Sequence, residues 1–499
     1  MILSELLKTI DYAEIINRTG IDSESCEILS LCCDSRKVSA DSLFVCISGS
    51  LNDGHDHAWG AYGRMCRVFV VEHSIKLPDD AFVIIVKNSR VALAQLSAAF
   101  YGYPAKEMTV IGITGTKGKT TSSIMIYNVL NKCGIPTGYI GSNGIYFGDY
   151  VFSTINTTPE SIDLHGYMRK MLNAGVKTLV MEVSSQALKM SRVHGIRFKT
   201  CVFTNLSPDH IGEHEHPDFD DYKSCKHSLF TDYGAEYIVY NADDEHAESM
   251  VSGNRCKKAS VSLSLPTADL KAEDVSYFRS SGCVGVSFTC KYGEDRIPTS
   301  VPFPGEFSVY NALTAIAVCT ELGISATDVA DALQSIRVKG RFETFELPNG
   351  ATAVIDYAHN GVSLKAALQA LRIYEPKRLI CLFGSVGGRT KIRRAELGLV
   401  ASRDADFCIL TSDNPDNEPP SVIIGEIAAY FTSGTCPYVA IPDRKEAIEY
   451  ALDMCEEGDI LLLAGKGHEA YQVIKGVREE FSETEIIQKY CQKYQTVNA

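Results

Sequence analysis

The sequence is poor in the features that mark membrane, secreted and zinc-binding proteins. No apolar run approaches the roughly 18 residues that a membrane span needs. The N-terminal stretch MILSELLKTIDYAEIINRTG carries charges every few residues, unlike a signal peptide. The 17 cysteines include no C-x-x-C pair, and many stand inside apolar runs. We therefore expect reduced, buried cysteines in a cytoplasmic protein that has no membrane partner.

Basic charge is also scarce. The chain has 48 Lys and Arg against 62 Asp and Glu, which gives a formal net charge of −14. General nucleic-acid binding needs a basic face that neutralises phosphates, so we expect no nucleic-acid partner. A local basic pocket can still bind an anionic ligand. The 499 residues exceed what one hydrophobic core supports, so about two to four domains are expected.

Three stretches of different character predict an α/β protein. Residues 1–105 hold short apolar runs such as SLFVCIS and AFVIIVK, which predict a small α/β domain. Residues 106–337 and 338–499 each alternate strand-like with helix-like runs, a pattern typical of doubly wound parallel sheets. Residues 260–300 break this rhythm with alternating strand-like runs, which predict hairpins or an insertion.

The stretch GITGTKGKTT, residues 112–121, follows a strand-like run and precedes a helix-like one. A glycine-rich turn in that position presents backbone N–H groups and a helix N-terminus to phosphate. Lys119 can then reach terminal phosphates, and the Thr120 hydroxyl can bind magnesium. Five residues separate Gly112 from Gly118, where the standard phosphate loop has four. The alternative is a glycine-rich turn without a ligand.

The same ten residues resemble the phosphate loop of the Mur ligase family. Further stretches, in the family's order, resemble its UDP-N-acetylmuramoyl-tripeptide synthetases. These stretches are DSRKVSADSLFVCISGSLNDGHDH (34–57), NTTPES (156–161), MEVSSQAL (181–188), TNLSPDHIGEH (204–214), GRFE (340–343), DYAHNG (356–361), TSDNP (411–415) and GKGHEAYQ (465–472). Together they span nearly the whole chain.

The resemblance implies an α/β fold of three domains: a small N-terminal uridine-nucleotide domain (1–105), a central P-loop ATPase-like doubly wound domain (106–337) and a C-terminal Rossmann-like domain that binds the amino acid (338–499). It implies an ATP- and Mg²⁺-dependent amide-forming ligase of peptidoglycan precursors. ATP would phosphorylate a carboxylate of UDP-N-acetylmuramoyl dipeptide, and the amine of a free diamino acid would attack the acyl phosphate. We expect the enzyme to act as a monomer.

The resemblance also implies the catalytic residues and the ATP site. The catalytic residues would be Lys119, Glu182, His210 and Lys226, and the metal ligands Thr120, Glu182, His210 and carbamylated Lys226. ATP would be bound by Gly115, Thr116, Lys117, Gly118, Lys119, Thr120, Thr121, Asn311, Arg341, Asp356 and His359. Two alternatives stay open, namely a zinc site formed by His210, Glu213, His214 and His216, and Lys223 in place of Lys226.

Two further groups follow from the resemblance. The UDP-linked substrate would be bound by Ser35, Arg36, Thr157, Thr158, Ser184 and Arg192, because arginine can pair with a pyrophosphate or carboxylate through two hydrogen bonds. The incoming amino acid would be bound by Arg389, Asp413, Asn414, Asp416, Gly465 and Glu469.

Asp416 bears on which amino acid is added. Relatives that add meso-diaminopimelate typically have D-N-P-R, whereas this chain has D-N-P-D with Asp416 in place of the arginine. A second substrate carboxylate facing Asp416 would be repelled, and an unpaired buried charge costs about 3–5 kcal/mol. We therefore expect L-lysine, then L-ornithine. Alternatively, Asp416 faces solvent, Arg393 or Arg394 supplies the charge, and meso-diaminopimelate is added.

Two other classes of function remain as alternatives. One is a related ligase that acts on another carboxylate, such as a folate or a poly-amino acid, and the stretch 34–57 argues against it. The other is a scaffold that binds nucleotide without turnover, and the joint presence of Lys119, Glu182, His210 and Lys226 argues against it.

Overall fold

The computed structural model describes residues 1–18, 20–49, 52–212, 215–280, 282–388, 391–432 and 436–497. The chain separates into two compact units, Met1–Leu270 with Thr314–Ile324 and Lys271–Leu313 with Ser325–Ala499. The three domains expected from the sequence, with bounds after residues 105 and 337, stay a prediction. Among the described residues, no helix is both long enough and apolar enough to cross a membrane.

The first unit begins with a small sheet whose two faces pack into separate hydrophobic cores. Leu43 and Val45 point into one core, and Phe44 and Cys46 into the other, because successive strand residues alternate between faces. The strand order is β1-β5-β4-β3-β2, with β1 antiparallel and the rest parallel. The elements are α1 (Leu3–Leu7), β1 (Tyr12–Asn17), β2 (Ser30–Cys32), β3 (Ser42–Val45), a 3-10 helix (Gly54–His57), α2 (Ala58–Gly63), β4 (Val68–Val71), β5 (Phe82–Val86) and α3 (Ser89–Phe100).

The second sheet of the first unit confirms the predicted alternation of strands and helices. Its elements follow a 3-10 helix at Pro104–Glu107 and are β6 (Thr109–Thr114), α4 (Lys119–Lys132), β7 (Thr137–Gly141), β8 (Gly144–Phe147), β9 (Tyr150–Phe152), α5 (Ser161–Asn173), β10 (Thr178–Glu182), α6 (Ser185–Lys189), β11 (Thr200–Phe203), α7 (Phe219–Thr231), β12 (Tyr237–Asn241), α8 (Ala247–Val251) and β13 (Lys257–Ser262). Within this unit the order is β13-β12-β11-β6-β10-β7-β8-β9.

The centre of that sheet is parallel and fully covered. β6 lies between β10 and β11 and pairs in parallel with both. Every residue of β10 is buried, as the continuous apolar run TLVME predicts for a strand covered on both faces. In such sheets, ligands bind beyond the carboxyl ends of the strands, where the strand order reverses. The phosphate loop, Glu182 and the stretch after Phe203 all follow these carboxyl ends.

The second unit contains the last three strands of the eleven-stranded sheet, a six-stranded sheet and a two-stranded one. β14 (Leu270–Ser280), β15 (Cys283–Tyr292) and β16 (Asp295–Val301) are neighbours in that order, and β15 and β16 form an antiparallel hairpin, which confirms the prediction for this region. The next elements are α9 (Glu306–Glu321), α10 (Ala326–Leu333), β17 (Glu343–Glu346), β18 (Thr352–Asp356), α11 (Gly361–Arg372), β19 (Leu379–Phe383), α12 (Ile392–Asp404), β20 (Phe407–Leu410), α13 (Pro420–Ala428), β21 (Tyr438–Ala440), α14 (Arg444–Met454), β22 (Ile460–Ala464), β23 (Tyr471–Ile474), β24 (Val477–Glu480) and α15 (Glu483–Val497).

The parallel sheet of the second unit is doubly wound. Its order is β17-β18-β22-β19-β20-β21, and only the edge strand β17 is antiparallel to its neighbour. Two hydrophobic cores cover its faces, one with α11, α12 and α13 and the other with α14 and α15. Asp356 ends β18, and Gly465 follows β22. The described residues predicted to bind the amino acid follow the carboxyl ends of β20 and β22, and β19 lies between these two strands in the sheet.

Candidate active site

The phosphate loop of the first unit depends on two glycines with left-handed backbone angles. Gly118 has φ 84° immediately before α4 begins at Lys119. Gly115 has φ 147°, and a Cβ there would lie 1.9 Å from Thr204 Oγ1. The loop therefore packs tightly against the stretch after β11, and its N–H groups stand at the start of a long helix, as phosphate binding requires.

The stretch after β11 is bonded to the phosphate loop at several points. Thr204 Oγ1 donates to Lys117 O at 2.6 Å, and the Lys117 N–H donates to Asn205 Oδ1 at 2.9 Å. The Lys117 ammonium pairs with Asp209 at 3.1 Å. Although burial acts to raise the pKa of Asp209, Lys117 and His210 lower it below its usual value. Asp209 is thus a carboxylate held at the loop.

Two lysines converge on one backbone carbonyl. Lys119 Nζ donates to Gly115 O at 2.8 Å and to Thr116 O at 3.0 Å. Lys226, on α7, is 1% exposed, and its Nζ donates to the same Gly115 oxygen at 2.8 Å. Burial, and then the Lys119 charge, hold the pKa of Lys226 well below its usual range. The site therefore favours Lys226 as a neutral amine.

The Lys226 amine has a defined wall. Its Nζ lies 4.6 Å from the centre of the Tyr222 ring, one helical turn earlier on α7. The Tyr222 hydroxyl meets Thr116 Oγ1 at 3.1 Å, which ties α7 to the phosphate loop. Lys223, the sequence alternative to Lys226, is only half-buried. Spacing alone left the two lysines open, whereas their burial distinguishes them.

Glu182 is fully buried at the end of β10 and is bonded on both oxygens. Oε2 accepts from Thr120 Oγ1 at 3.0 Å. Oε1 accepts from the Tyr139 hydroxyl at 2.7 Å and from the Ser142 N–H at 2.9 Å. Burial and the neighbouring Glu182 carboxylate raise the pKa of Tyr139 well above its usual value. Sequence reasoning missed Tyr139, which lies inside β7, and Ser142, which follows it, because nothing in the run TGYIGSNG marks a partner 40 or more positions away.

His210 lies in the segment after β11 with φ 55°, and its Nδ1 meets Glu215 Oε1 at 3.0 Å. His216 is fully buried instead and faces Asp221 and Ser185. The two described histidines of the zinc alternative therefore have different partners, and its other two members, Glu213 and His214, lie outside the described residues. Buried His216 was not among the predicted site residues other than as a zinc ligand.

Four of the six residues predicted for the UDP-linked substrate come together beside Glu182. Thr158 Oγ1 donates to Glu182 O at 2.8 Å and accepts from the Ser184 N–H at 3.1 Å. Thr157 Oγ1 meets Ser142 Oγ at 2.9 Å. Arg192 Nη1 donates to Thr158 O at 3.1 Å. Hydrogen bonds thus connect these four residues to the segment around Glu182.

Arg192 has a further partner, and Ser35 and Arg36, the other two residues predicted for the UDP-linked substrate, have different ones. The Arg192 guanidinium also pairs with Glu160, which in turn meets Arg90 Nη1 at 3.5 Å. Arg36 is exposed and forms two 2.9 Å hydrogen bonds to Asp34, which lowers the pKa of that carboxyl to about 2. Ser35 O accepts from Arg64 Nε at 3.0 Å.

In the second unit, the predicted ATP contacts lie around the end of β18. Asp356 accepts from the Phe342 N–H at 3.1 Å. Burial raises the pKa of Asp356 to about 6, although Arg341 acts to lower it. The Arg341 guanidinium lies 4.8 Å from the centre of the Tyr357 ring, and His359 Nδ1 meets Tyr357 O at 2.8 Å. Asn311 of α9 is buried.

The predicted amino-acid residues form a network around a lysine that sequence reasoning missed. Lys466 is fully buried, and its Nζ donates to Asn414 Oδ1 and Glu469 Oε2, both at 2.9 Å. Asn414 Nδ2 donates to the same Glu469 oxygen at 3.0 Å. Gly465 has φ 113°, and a Cβ there would lie 2.8 Å from Asp413 Oδ2. The signal was available in GKGHE, where Lys466 stands beside the two predicted residues.

The carboxylates of this network differ in protonation tendency. Burial raises the pKa of Asp413 above its usual value, although Arg444 and Lys466 act to lower it. Burial also acts on Glu469, but Lys466 and Asn414 outweigh it and lower that pKa. Of the two carboxyl groups, Glu469 therefore has the stronger tendency to be ionised.

Asp416 is half-buried with φ 52°, and its backbone joins the hairpin of β23 and β24. Its N–H donates to Val473 O at 2.9 Å, and its carbonyl accepts from the Lys475 N–H at 2.6 Å. Asn417 Nδ2 donates to Asp416 Oδ1 at 3.3 Å. These contacts hold the segment in place while leaving one carboxylate face partly exposed.

Arg393 and Arg394 are the alternative sources of positive charge for a diaminopimelate carboxylate, and Arg389 is a predicted amino-acid contact. Arg394 is buried and bonded to Glu418 and Glu426 at 2.6–2.8 Å, so these carboxylates already neutralise it. Arg393 is half-buried, and its charge acts to lower the pKa of Asp413. Arg389 lies outside the described residues.

Comparison with known proteins adds three findings. The model of the Mur ligase middle domain matches residues 113–319, and that of the Mur ligase glutamate ligase domain matches residues 340–467. The chain is 38% identical over 489 residues to a protein of Caldanaerobacter subterraneus subsp. tengcongensis, covering 98% of both chains. It is 33% identical to one of Clostridium perfringens, covering 98% of this chain and 99% of the other. Both proteins are named UDP-N-acetylmuramoyl-L-alanyl-D-glutamate--2,6-diaminopimelate ligase.

A solved structure of a protein with the same name is also similar. It superposes with a TM-score of 0.67 at 25% identity and covers 96% of this chain and 98% of its own. The α/β fold expected from the sequence is thereby confirmed.

Proposed function

The chain belongs to the Mur ligase family, and from this premise we propose that it is an ATP-dependent ligase that joins a diamino acid to UDP-N-acetylmuramoyl-L-alanyl-D-glutamate. The reaction forms an amide bond in a peptidoglycan precursor. The proposed enzyme acts as a monomer in the cytoplasm. ATP transfers its terminal phosphoryl group to the glutamate carboxylate, and the diamino acid's amine then displaces phosphate from the acyl phosphate.

The observation that carries the proposal is the convergence of two lysines on the Gly115 carbonyl. Lys119 is the first residue of α4. From there its ammonium group can contact the terminal phosphate of ATP while the loop N–H groups bind the other phosphates. Lys226 is buried beside it, and burial, then the Lys119 charge, favour its neutral amine form. A neutral amine can add to carbon dioxide, forming an N–C bond and releasing one proton, which turns a buried base into an anionic oxygen ligand.

The residues around Glu182 fit Mg²⁺. The site offers the Thr120 hydroxyl and a buried carboxylate 3.0 Å apart, and Mg²⁺ prefers hard oxygen ligands. Thr120, Glu182, His210 and carbamylated Lys226 would hold the ion. When bound, Mg²⁺ neutralises charge on the phosphoryl oxygens. Tyr139 and the Ser142 N–H orient the Glu182 carboxylate by their two hydrogen bonds.

The two substrates other than ATP would meet different groups. Thr157, Thr158, Ser184 and Arg192 would bind the UDP-linked dipeptide beside Glu182, with Ser35 and Arg36 on its uridine end. Glu469 would attract the ammonium group of the incoming amino acid, with Asp413, Asn414 and Gly465 around it. In the second unit, Asp356 would accept from the ribose hydroxyls of ATP, with Asn311, Arg341 and His359 as further contacts.

The amino acid added is the finer question. The named relatives favour 2,6-diaminopimelate, which was the alternative in the sequence analysis. Asp416 favours lysine as a second candidate, because its half-buried carboxylate repels a distal carboxylate and attracts an ammonium group. Arg394 does not help diaminopimelate, since Glu418 and Glu426 already pair with it. We therefore propose 2,6-diaminopimelate first and lysine second.

A phosphate-release assay tests the reaction. Purified protein should release phosphate from ATP only when the UDP-linked dipeptide and a diamino acid are both present. Release with a folate and glutamate instead would indicate a ligase for another carboxylate, and ATP binding without any release would indicate a scaffold. Competition between meso-diaminopimelate and L-lysine, read from the product mass, then decides the acceptor.

A further inference from the structure

His216 joins two helices through its ring. It is fully buried, and its Nδ1 meets Asp221 Oδ2 of α7 at 2.6 Å. Because a carboxylate only accepts hydrogen bonds, Nδ1 carries the proton. Nε2 is then an acceptor and receives the hydroxyl of Ser185, the first residue of α6, at 2.9 Å. The imidazole therefore links the start of α6 to the first turn of α7.

The backbone of His216 closes a loop that carries His210. The His216 N–H donates to His210 O at 3.0 Å, and the Gly212 N–H donates to His216 O at 2.9 Å. His210 itself has φ 55°, a conformation that few residues other than glycine adopt. Such a conformation persists when surrounding contacts enforce it. The two bonds to His216 are contacts of this kind.

A second link from α6 reaches the same carboxylate. Lys189 Nζ pairs with Asp221 Oδ2 at 2.8 Å. His216, Asp221 and Cys225 also bring potential metal-ligand atoms within 4.8 Å of one another. However, Lys189 already neutralises Asp221, and Ser185 already occupies Nε2. The arrangement thus has the partners of a hydrogen-bonded support.

We propose that His216 is a positioning residue, which holds residues 205–212 against α6 and α7 and thereby orients Asp209 and His210 for the ATP-bound Mg²⁺. The role of residues 205–212 in Mg²⁺ binding rests on the proposed function. The link between His216 and the helices α6 and α7 rests on the contacts described above. Ser184 caps the N-terminus of α6 and Lys226 lies on α7, so the ring also keeps the groups proposed for the dipeptide and the metal in register.

The test compares three variants at His216 with one matched control. His216→Leu removes both ring bonds. His216→Asn places an amide donor near the Nδ1 position, and His216→Gln places an amide oxygen near the Nε2 position, so each can retain one bond. His165→Leu is the control, because His165 is also buried on the first unit, and neither of its ring nitrogens has a hydrogen-bond partner in the described structure.

Hydrogen–deuterium exchange of the free chain, without metal or nucleotide, is the first measurement. We expect His216→Leu to speed exchange in residues 205–212 by at least about tenfold while the strands of the sheet keep their protection. The second measurement is the Mg²⁺ concentration that gives half-maximal ligation, which should rise about tenfold or more, as for lost supports of metal ligands. The Asn and Gln variants should recover part of both effects, and His165→Leu should change neither.

Three results would overturn the inference. They are wild-type exchange in residues 205–212 of His216→Leu, an equal rise of exchange across the whole first unit, and one zinc ion per purified chain that is lost in that variant. If His216→Leu does not fold, Ser185→Ala and His216→Gln carry the same comparison. A wild-type chain that does not ligate would refute the proposed function, while the exchange measurement would still decide whether His216 holds the loop.

Discussion

Each compact unit buries one lysine at its candidate site, and the two lysines have opposite surroundings. Lys226 is 1% exposed, and Lys466 is 0% exposed. Lys226 donates to a backbone carbonyl, and burial, then the nearby Lys119 charge, hold its pKa well below the usual range. Lys466 donates to Asn414 and to the Glu469 carboxylate. Equal burial therefore does not produce equal chemistry.

The groups around a buried lysine determine whether its charged or its neutral form is favoured. A carboxylate at 2.9 Å stabilises an ammonium group, and the pair then supports local structure. Burial and a nearby like charge favour the neutral amine, which can act as a nucleophile. We therefore expect Lys226 to matter for chemistry more than for stability, and Lys466 to matter for both stability and acceptor binding.

The largest effect on the ligation rate is expected for a substitution of Lys226. Lys226→Met keeps the length of the side chain but cannot form a carbamate, so ligation should fall about 10³-fold, as when a charged group at a phosphoryl-transfer site is lost. The free energy of unfolding should change by about 1 kcal/mol, the value of one hydrogen bond. Phosphate release and urea unfolding measure the two quantities. Lys223→Met is the control, and an equal loss of rate there would contradict the assignment.

The next effect concerns Lys466. Lys466→Met leaves the Glu469 carboxylate buried without its ammonium partner, so the free energy of unfolding should fall by about 3 kcal/mol. The KM for the diamino acid should also rise, because Asn414 loses the same partner. Urea unfolding followed by fluorescence checks the first expectation. Lys489→Met, at an exposed position, should leave the unfolding midpoint unchanged, and a Lys466→Met midpoint equal to wild type would show that the pair contributes nothing.

A third prediction extends the comparison to a buried carboxyl. Burial raises the pKa of Asp356 from 3.8 to about 6, so between pH 4 and 6 the folded chain holds a proton that the unfolded chain releases. Folding stability from this group is present at low pH and is lost as pH rises through about 6. Relative to wild type, Asp356→Asn should therefore gain about 2 kcal/mol between pH 4 and pH 7. Thermal unfolding across this range measures it, and parallel pH profiles of the two proteins would refute it.

The smallest effect is expected for a substitution of Asp416, and it concerns the choice of amino acid. Asp416→Arg replaces a repelling carboxylate by a group that can pair with the distal carboxylate of meso-diaminopimelate. The ratio of kcat/KM for meso-diaminopimelate over lysine should rise about tenfold, or about 1.4 kcal/mol, since Asp416 is partly exposed and its charge is screened. Asp416→Asn should give an intermediate ratio. A ratio that does not respond to either change would place Asp416 away from the acceptor's side chain.

Much of the fold was predictable from local pattern. Continuous apolar runs such as TLVME predicted covered parallel strands, and the change of rhythm after residue 260 predicted the hairpin of β15 and β16. The glycine spacing before Lys119 predicted the loop that precedes α4. These features depend on a few neighbouring residues, so their periodicity is visible in the sequence.

Residues that meet across the sheet were harder to find. Tyr139 bonds to Glu182 from 43 positions earlier, and Lys226 meets Gly115 from 111 positions later. The resemblance to the Mur ligases supplied Lys226, but nothing near Tyr139 or His216 marked their contacts. The run GKGHE places Lys466 close to Gly465 and Glu469 in the sequence, but it was overlooked because the sequence does not show its burial or its partners.

By itself, the sequence determined the alternation of strands and helices, the glycine-rich loop between β6 and α4, and the family to which its motifs belong. The fold was needed to find which lysine is buried beside the phosphate loop, which carboxylates are paired, and which histidine is bonded to both α6 and α7. The physical reason is that hydropathy period and backbone freedom are local properties of the chain. Desolvation and charge pairing arise only when distant segments are brought together.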